Sequence, residues 1–160
     1  SAAPTSFGSI INTFSWKQLD ISVNISYKLG YYFTKPSLSY SALVGQGSGN
    51  KEYDTRWQKP GDELVTNVPS FTYPVDSWRD AFYDGSEINV LKGDHFRLEY
   101  INISYLFPKM NKFHFDQLRV FFNAANLGIL WRANKQNIDP DYPYGIPLPT
   151  SFSFGANLNF

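Results

Sequence analysis

The segment Leu19–Leu29 alternates apolar and polar side chains at every position, and no other feature constrains the fold as strongly. A period of two places the two sets on opposite faces of a β-strand, whereas a helix would scatter them around its axis. The alternation returns in Phe152–Phe160 and in Gln117–Ala124, where Phe121 is the one exception. These segments predict strands with one apolar and one polar face.

Two further strands complete the predicted set. Residues 96–107 alternate but change phase near Tyr100, which predicts a β-bulge or a change of face there. A weaker strand covers Thr5–Ser15. The chain is therefore predicted to be all-β, with five antiparallel strands.

The connections between these strands alternate in length. Ser15–Gln18 and Pro108–Lys112 are short, whereas Gly30–Asp94 and Ala125–Thr150 are long. A soluble sandwich has no reason to collect its long connections at one end. An outer-membrane barrel has short periplasmic turns and long extracellular loops, and its strands have about the length predicted here.

Charged and aromatic residues follow the same pattern. The predicted apolar faces carry no Asp, Glu, Lys or Arg, as lipid contact requires, although a soluble half-buried sheet would also keep charge off its core face. Aromatic residues make up 18% of the chain and collect near the strand ends, as interfacial girdles would. The residues concerned are Tyr31, Tyr32 and Phe33 at one end, and Trp16, Phe107, Phe113 and Phe160 at the other.

Composition excludes several classes of protein. The formal net charge is zero and no basic stripe is present, which argues against a nucleic-acid partner. The chain has no cysteine, so disulfides and thiolate zinc sites are excluded. No apolar run is long enough for a spanning helix.

A series of short motifs along nearly the whole chain resembles the carboxyl-terminal part of a SusC/RagA-type TonB-dependent outer-membrane transporter. In chain order these motifs are Arg56-Trp57-Gln58-Lys59-Pro60-Gly61-Asp62, Gly93-Asp94-His95-Phe96-Arg97-Leu98 with Ile103-Ser104-Tyr105 and Pro108, Leu118-Arg119-Val120-Phe121 with Asn126-Leu127, Asp139-Pro140-Asp141, and Tyr144 through Pro147-Leu148-Pro149 to Ser153-Phe154-Gly155 and the terminal Phe160.

The resemblance implies an antiparallel transmembrane β-barrel of roughly 22 strands with a plugged lumen. Residues 1–160 would supply the last five strands and two long extracellular loops. The plug domain, the earlier strands and the segment that engages the TonB complex would lie upstream of this chain. The implied location is the outer membrane of a Gram-negative bacterium, with several membrane passes. The implied partners are the remainder of the barrel and plug, outer-membrane lipid and a SusD-like surface lipoprotein.

Aromatic side chains in the long connections are the candidate substrate contacts, because flat rings stack on sugars and other apolar groups at small entropic cost. Their alternative role is to pack the loops into a rigid cap. The six candidates are Trp57, Tyr73, Trp78, Trp131, Tyr142 and Tyr144.

Other motifs favour structural roles. Gly45–Gly49 resembles a phosphate loop but lacks a βαβ context, and is predicted to be a flexible loop. His95 and His114 are too far apart in the chain to suggest a metal site and are predicted to be solvated or interfacial. Asp76–Gly85 has the cap residues of a short helix. Asp139 and Asp141 could bind a hard cation, but a turn is favoured because no ligand series surrounds them.

Three functions remain open from the sequence. The first is a TonB-dependent importer of oligosaccharides or peptides that works with a SusD-like lipoprotein. The second is a soluble carbohydrate-binding β-sandwich that uses the same rings. The third is an outer-membrane enzyme, which is disfavoured because no motif marks a nucleophile with its base. We therefore expect no enzymatic activity, cofactor or metal.

Overall fold

The computed structural model describes residues 1–108 and 116–159. It divides into a sheet unit, Ser1–Tyr32 with Lys92–Phe160, and an insert unit, Phe33–Leu91. The predicted sites at Phe113, His114 and Phe160 lie outside the described residues. No helix among the described residues is long and apolar enough to cross a membrane.

The sheet unit is built from five long antiparallel strands, which are β1 (Ser6–Trp16), β2 (Leu19–Leu29), β5 (His95–Phe107), β6 (Gln117–Arg132) and β7 (Ser151–Asn159). They lie in the sheet in the order β1-β2-β5-β6-β7. Every sheet neighbour is also the next long strand along the chain, so the sheet is a meander with β1 and β7 at its open edges. This arrangement confirms the all-β prediction. The short strands β3 (Tyr32–Thr34) and β4 (Val90–Lys92) pair in a separate two-stranded sheet.

Bulges lie where the alternation changes phase. The β2–β5 register shifts between Asn24 and Ile25, and the β5–β6 register shifts between Leu98 and Tyr100, which confirms the bulge predicted near Tyr100. Strand β6 is longer than predicted, because Asn126 (φ 56°) and Gly128 (φ 101°) interrupt its alternation without ending its pairing. The second long connection therefore begins after Arg132 rather than at Ala125.

Phe121 departs from the β6 alternation for a packing reason. Its ring covers Gly155 of β7, its cross-strand partner. A Cβ atom at Gly155 would lie 2.5 Å from Phe121 Cζ. The glycine therefore makes room for an aromatic ring on the polar face.

The insert unit has a small core of its own. Its helices are α1 (Tyr40–Gln46) and α2 (Ser77–Asp84), with 3₁₀ turns at Lys51–Thr55, Asp62–Leu64 and Glu87–Asn89. The core consists of Leu38, Tyr40, Val68 and Tyr83. Helix α2 confirms the predicted helix: the Asp76 side chain caps it and Gly85 follows it. The prediction of a flexible loop over Gly45–Gly49 is wrong in its first half, since Gly45 lies within α1 and Gly47 (φ 67°) provides its C-cap.

Carboxylates organise the insert unit. Glu52 pairs with Lys35 and accepts hydrogen bonds from the Leu38 backbone (2.9 Å) and the Tyr83 hydroxyl (3.1 Å). Asp80 on α2 accepts hydrogen bonds from the Ser41 backbone N–H (2.7 Å) and from the hydroxyl of Ser39, the N-cap of α1 (3.0 Å). Since buried carboxylates are costly without such donors, these contacts hold the helices to the surrounding turns.

Candidate functional site

The register of the sheet unit separates two chemically different faces. One row across all five strands is entirely polar: Thr13, Ser22, Asn102, Asn123 and Ser153. The next row, whose side chains point to the other face, is entirely apolar: Phe14, Ile21, Ile103, Phe122 and Phe154. The separation is not complete, since Phe7 and Ile11 of β1 and Phe121 of β6 also lie on the polar face.

The apolar face is not covered as it would be in a soluble sheet. Among the described residues, Ala124 is the only buried hydrophobic side chain of the five long strands. On the apolar face Phe14 is 58% exposed and Phe154 is 77% exposed. The polar face, in contrast, contains the buried residues Ser104 and His95. A contiguous exposed apolar face of this kind marks contact with another protein or with lipid.

Aromatic rings bound the apolar face at one end. Tyr27, Phe96 and Trp131 lie side by side on β2, β5 and β6, with ring centroids 6.1 Å and 5.8 Å apart. The aromatic residues of the opposite end begin eight positions away along β2, in the row of Leu19 and Tyr105. At the usual rise this separation is about 27 Å, or about 20 Å in height for a tilted strand.

An ion cluster lies on the polar face at the end nearest this aromatic row. Asp139 accepts two bonds from Arg97, at 2.6 and 2.7 Å. Asp141 lies 2.7 Å from Lys28 Nζ, 3.3 Å from His95 Nε2 and 3.2 Å from the Arg97 guanidinium. Two carboxylates from the connection between β6 and β7 therefore meet three basic side chains of β2 and β5.

His95 holds the centre of the cluster. Only 1% of its side chain is exposed, so the prediction of a solvated histidine is wrong, while its position near the membrane interface stays a prediction. Its Nδ1 lies 2.8 Å from the Gly93 carbonyl oxygen and 3.3 Å from the Tyr31 hydroxyl. The ring nitrogens thus face oxygen atoms on both sides, an arrangement that fixes the ring orientation.

Electrostatics around the cluster follow from burial and pairing. The hydrogen bond from His95 lowers the pKa of Asp141 well below its usual range, and Lys28 lowers it further. Burial, together with the nearby carboxylates of Asp141 and Asp139, raises the pKa of Tyr31 to about 12. Tyr31 is buried against Gly93, so its prediction as an outward-facing girdle residue is wrong.

Asp139 and Asp141 form the turn that the sequence favours. The Asp139 side chain accepts the Asp141 backbone N–H at 3.0 Å, as is typical of an aspartate turn around a proline. The carboxylates of Asp139 and Asp141 also bind the basic side chains of the cluster. They are therefore not gathered with other acidic side chains as cation ligands would be. Among residues 1–108 and 116–159, no group of three or more His, Cys, Asp or Glu is placed to hold a metal ion.

The sequence did not single out the basic members of this cluster. Lys28 is the last polar residue of β2, one position before its end, and His95 and Arg97 lie at the start of β5, all on the polar face. Antiparallel pairing brings the end of β2 next to the start of β5. Because all three basic residues alternate onto the same face, their proximity could have been predicted from the sequence. The acidic partners come from a distant connection, which strand alternation does not address.

The six predicted substrate-contacting rings are distributed over both units. Trp57, Tyr73 and Trp78 lie in the insert unit, with Tyr73 and Trp78 strongly exposed. Trp131 belongs to the aromatic row of the apolar face. Among the described residues, no ring contact joins any two of the six. The remaining two are Tyr142, whose ring centroid lies 5.9 Å from Arg97 Cζ, and the exposed Tyr144. Their contact with substrate stays a prediction.

Comparison with known proteins gives structural matches only. No protein-family model and no curated protein matches this chain. A structure of the RagAB peptide importer in the open-open state matches it with a TM-score of 0.65 and 18% identity over 100% of this chain. A structure of the RagAB peptide transporter gives 0.64 and 19%, again over 100%. The closed-closed state of the importer gives 0.61 and 17% over 98%.

These matches concern the fold. The identities are below a fifth, so the likeness lies in the path of the backbone. The chain spans 18%, 18% and 17% of the matched chains, less than a fifth of their length. Its fold is thus that of one segment of a chain in the RagAB structures.

Proposed function

We propose that residues 1–160 are the carboxyl-terminal part of a SusC/RagA-type TonB-dependent importer in the outer membrane of a Gram-negative bacterium. The observation that carries this proposal is the uncovered apolar face of the sheet, together with a half-buried ion cluster around the buried His95 on the opposite face. Hydrocarbon would cover the first face, and a lumen filled by a plug would meet the second. The likeness to RagAB supports the same assignment.

In this proposal the five strands are consecutive strands of a closed barrel of roughly 22. An open sheet edge in lipid leaves unpaired backbone groups, each costing several kcal/mol, so further strands would pair with β1 and β7. The soluble sandwich is the weaker alternative. A sandwich needs a second layer over the apolar face, and the five long strands form one sheet on whose apolar face Phe154 is exposed.

Peptides are the favoured substrate class of the two that the sequence left open, because the matched structures are those of a peptide importer. We propose no enzymatic role. The charged side chains brought together in the sheet unit are engaged in ion pairs, which stabilise the fold but do not supply a nucleophile with its base.

The experiment that tests this function uses the full-length gene product in its native host. We expect the protein in the outer-membrane fraction, with the heat-dependent electrophoretic mobility of a β-barrel. Uptake of a labelled peptide mixture should depend on the gene and on the energised inner membrane. Recovery of a soluble monomer without detergent would refute the membrane assignment. Correct assembly without peptide uptake would refute the substrate class alone.

We further propose a SusD-like lipoprotein as partner, contacted in part by the insert unit. On α2, Trp78 is 84% exposed and Phe82 is 80% exposed, one helical turn apart. Exposed aromatic pairs of this kind are typical of protein interfaces. Both residues can be substituted without touching Glu52, whose hydrogen bonds organise the core of the insert unit.

Trp78→Ala with Phe82→Ala should reduce co-purification of the lipoprotein from detergent-solubilised membranes by at least tenfold. The matched control is Val44→Ala, an exposed apolar residue on α1. Unchanged co-purification, with normal assembly of the barrel, would remove α2 from the interface.

A further inference from the structure

The ion cluster consists of a basic site built by the sheet and an acidic segment supplied by a loop. Lys28 extends from β2, and His95 and Arg97 extend from β5. The acids, Asp139 and Asp141, belong to the connection that follows β6. The basic residues therefore rest on paired strands, while their ligands arrive on a separate segment.

Several contacts show that the basic site is built rather than incidental. The side chains of His95 and Arg97 are 1% and 12% exposed. The Nε atom of Arg97 is buried and has no hydrogen-bond partner among the described residues, so the guanidinium retains an unused donor. The Tyr142 ring covers one side of the same guanidinium. Three basic groups around a pair of carboxylates match the chemistry that recognises an acidic peptide.

The loop that supplies the acids has its own internal bonds. Asn134 donates to the Ile138 carbonyl oxygen at 3.0 Å and accepts from the Ile138 backbone N–H at 3.2 Å. Arg132, the last residue of β6, donates to the Asn137 carbonyl oxygen at 2.7 Å and fastens the turn to the end of the strand. The turn over residues 134–138 is therefore held by bonds other than those to the basic site, and these bonds would remain if Asp139 and Asp141 were displaced.

We propose that Lys28, His95 and Arg97 form a carboxylate-binding site that the loop occupies with its own Asp139-Pro140-Asp141, and that an acidic peptide segment competes for this site. The inference rests on the proposed function only for the origin of the competing peptide. Buried basic groups left without a counter-charge are strongly destabilised, so release of the loop requires a replacement anion. Binding of an acidic peptide and displacement of the loop are therefore coupled.

The native protein and a variant with a neutral loop should differ in their affinity for an acidic peptide. A tethered ligand acts at an effective concentration in the millimolar range, which weakens any competitor that binds the same site. In the full-length protein carrying Asp139→Asn with Asp141→Asn, this competition is removed. We expect the peptide Ac-Asp-Pro-Asp-NH2 to bind the variant at least tenfold more tightly than the native protein.

Calorimetric titration of the detergent-solubilised, assembled protein measures this difference. Ac-Asn-Pro-Asn-NH2 is the matched neutral probe and should not bind. Sodium acetate at equal carboxylate concentration tests free carboxylate as the ligand, and it should bind at least tenfold more weakly than the acidic peptide. Adding Arg97→Gln to the variant should abolish binding of the acidic peptide. Equal binding of the acidic and neutral peptides, or binding that survives Arg97→Gln, would overturn the proposal.

Hydrogen exchange of the native protein provides an independent readout should the variant fail to assemble. The acidic peptide should accelerate exchange of backbone N–H groups in residues 133–142, whereas the neutral peptide should not. No acceleration at peptide concentrations up to tens of millimolar, about ten times the loop's effective concentration, would overturn the proposal. Either negative result in an assembled barrel would leave the proposed importer function intact, because assembly is scored separately by heat-dependent mobility.

Discussion

Val23→Arg is the sharpest test of which face of the sheet meets lipid. Val23 lies on the apolar face between Asn12 and Ile101, and it is four positions from both Tyr27 and Leu19 on the same strand. In the proposed barrel this places it near the bilayer midplane. An arginine there costs about 2–4 kcal/mol of folding free energy, which lowers the folding equilibrium constant by roughly 30- to 700-fold.

Ser22→Arg is the matched control. Ser22 is the adjacent residue on the opposite face, where its cross-strand partners are Thr13 and Asn102. It introduces the same side chain into the same strand, so backbone propensity and added volume largely cancel. Asn24 is a poorer control because the β2–β5 register shifts beside it. We expect Ser22→Arg to cost less than about 1 kcal/mol, as is usual for a substitution that leaves charge in a polar environment.

The assay is urea unfolding of the full-length protein in lipid vesicles, with the folded fraction read from its heat-dependent mobility. The difference in free energy of unfolding between the two variants isolates the cost of placing the charge on the apolar rather than the polar face. Equal losses of stability, or a larger loss for Ser22→Arg, would refute the assignment of the apolar face to lipid.

Three further predictions concern single contacts. Gly155→Val should lower the free energy of unfolding by about 1–3 kcal/mol, because the new Cβ would meet the Phe121 ring, and adding Phe121→Ala should recover part of this loss in the same assay. Trp131→Ala should lower the free energy of unfolding by about 1 kcal/mol more than the loss of its buried area alone would, because it removes a ring packed 5.8 Å from that of Phe96. Trp131→Phe should lower it less. Burial alone would raise the pKa of Asp80, but bonds led by the Ser41 backbone N–H lower it below the usual value. Its stabilising effect is therefore present above about pH 4 and is lost as the pH falls through the lowered pKa. The hydrogen-exchange protection of residues 38–42, taken relative to the intrinsic exchange rate at each pH, should fall between about pH 5 and about pH 2, and Asp80→Asn should remove that pH dependence.

The strands could be predicted from sequence because their information is local. Alternation over Leu19–Leu29 reproduces the bounds of β2, and the phase change near Tyr100 marks an observed register shift. Helix α2 was predictable for the same reason, since Asp76 and Gly85 lie next to the helix they bound. Each of these features is decided by neighbours within one strand or one helical turn.

The ion cluster could not be predicted because its contacts are distant in sequence. Lys28 and Asp141 are separated by 113 residues, and Arg97 and Asp139 by 42. Their meeting depends on strand order, register and the path of the connection after β6. His95 was predicted to be solvated because a histidine beside a strand end usually is. Here the acidic loop covers it.

The exposure of the apolar face also explains how the opposite face of the sheet can carry this ion cluster. Burying paired charges is rarely favourable when apolar packing is an alternative, and a soluble sheet would place Phe154 and Phe14 inside instead. If lipid covers the apolar face, hydrophobic burial is satisfied there by the membrane, and the inner face is left to polar groups. Lys28, His95 and Arg97 then lie on the only side of the sheet where charge is tolerated. The proposed lipid contact of one face and the proposed carboxylate binding on the other would in this sense both follow from one alternating pattern.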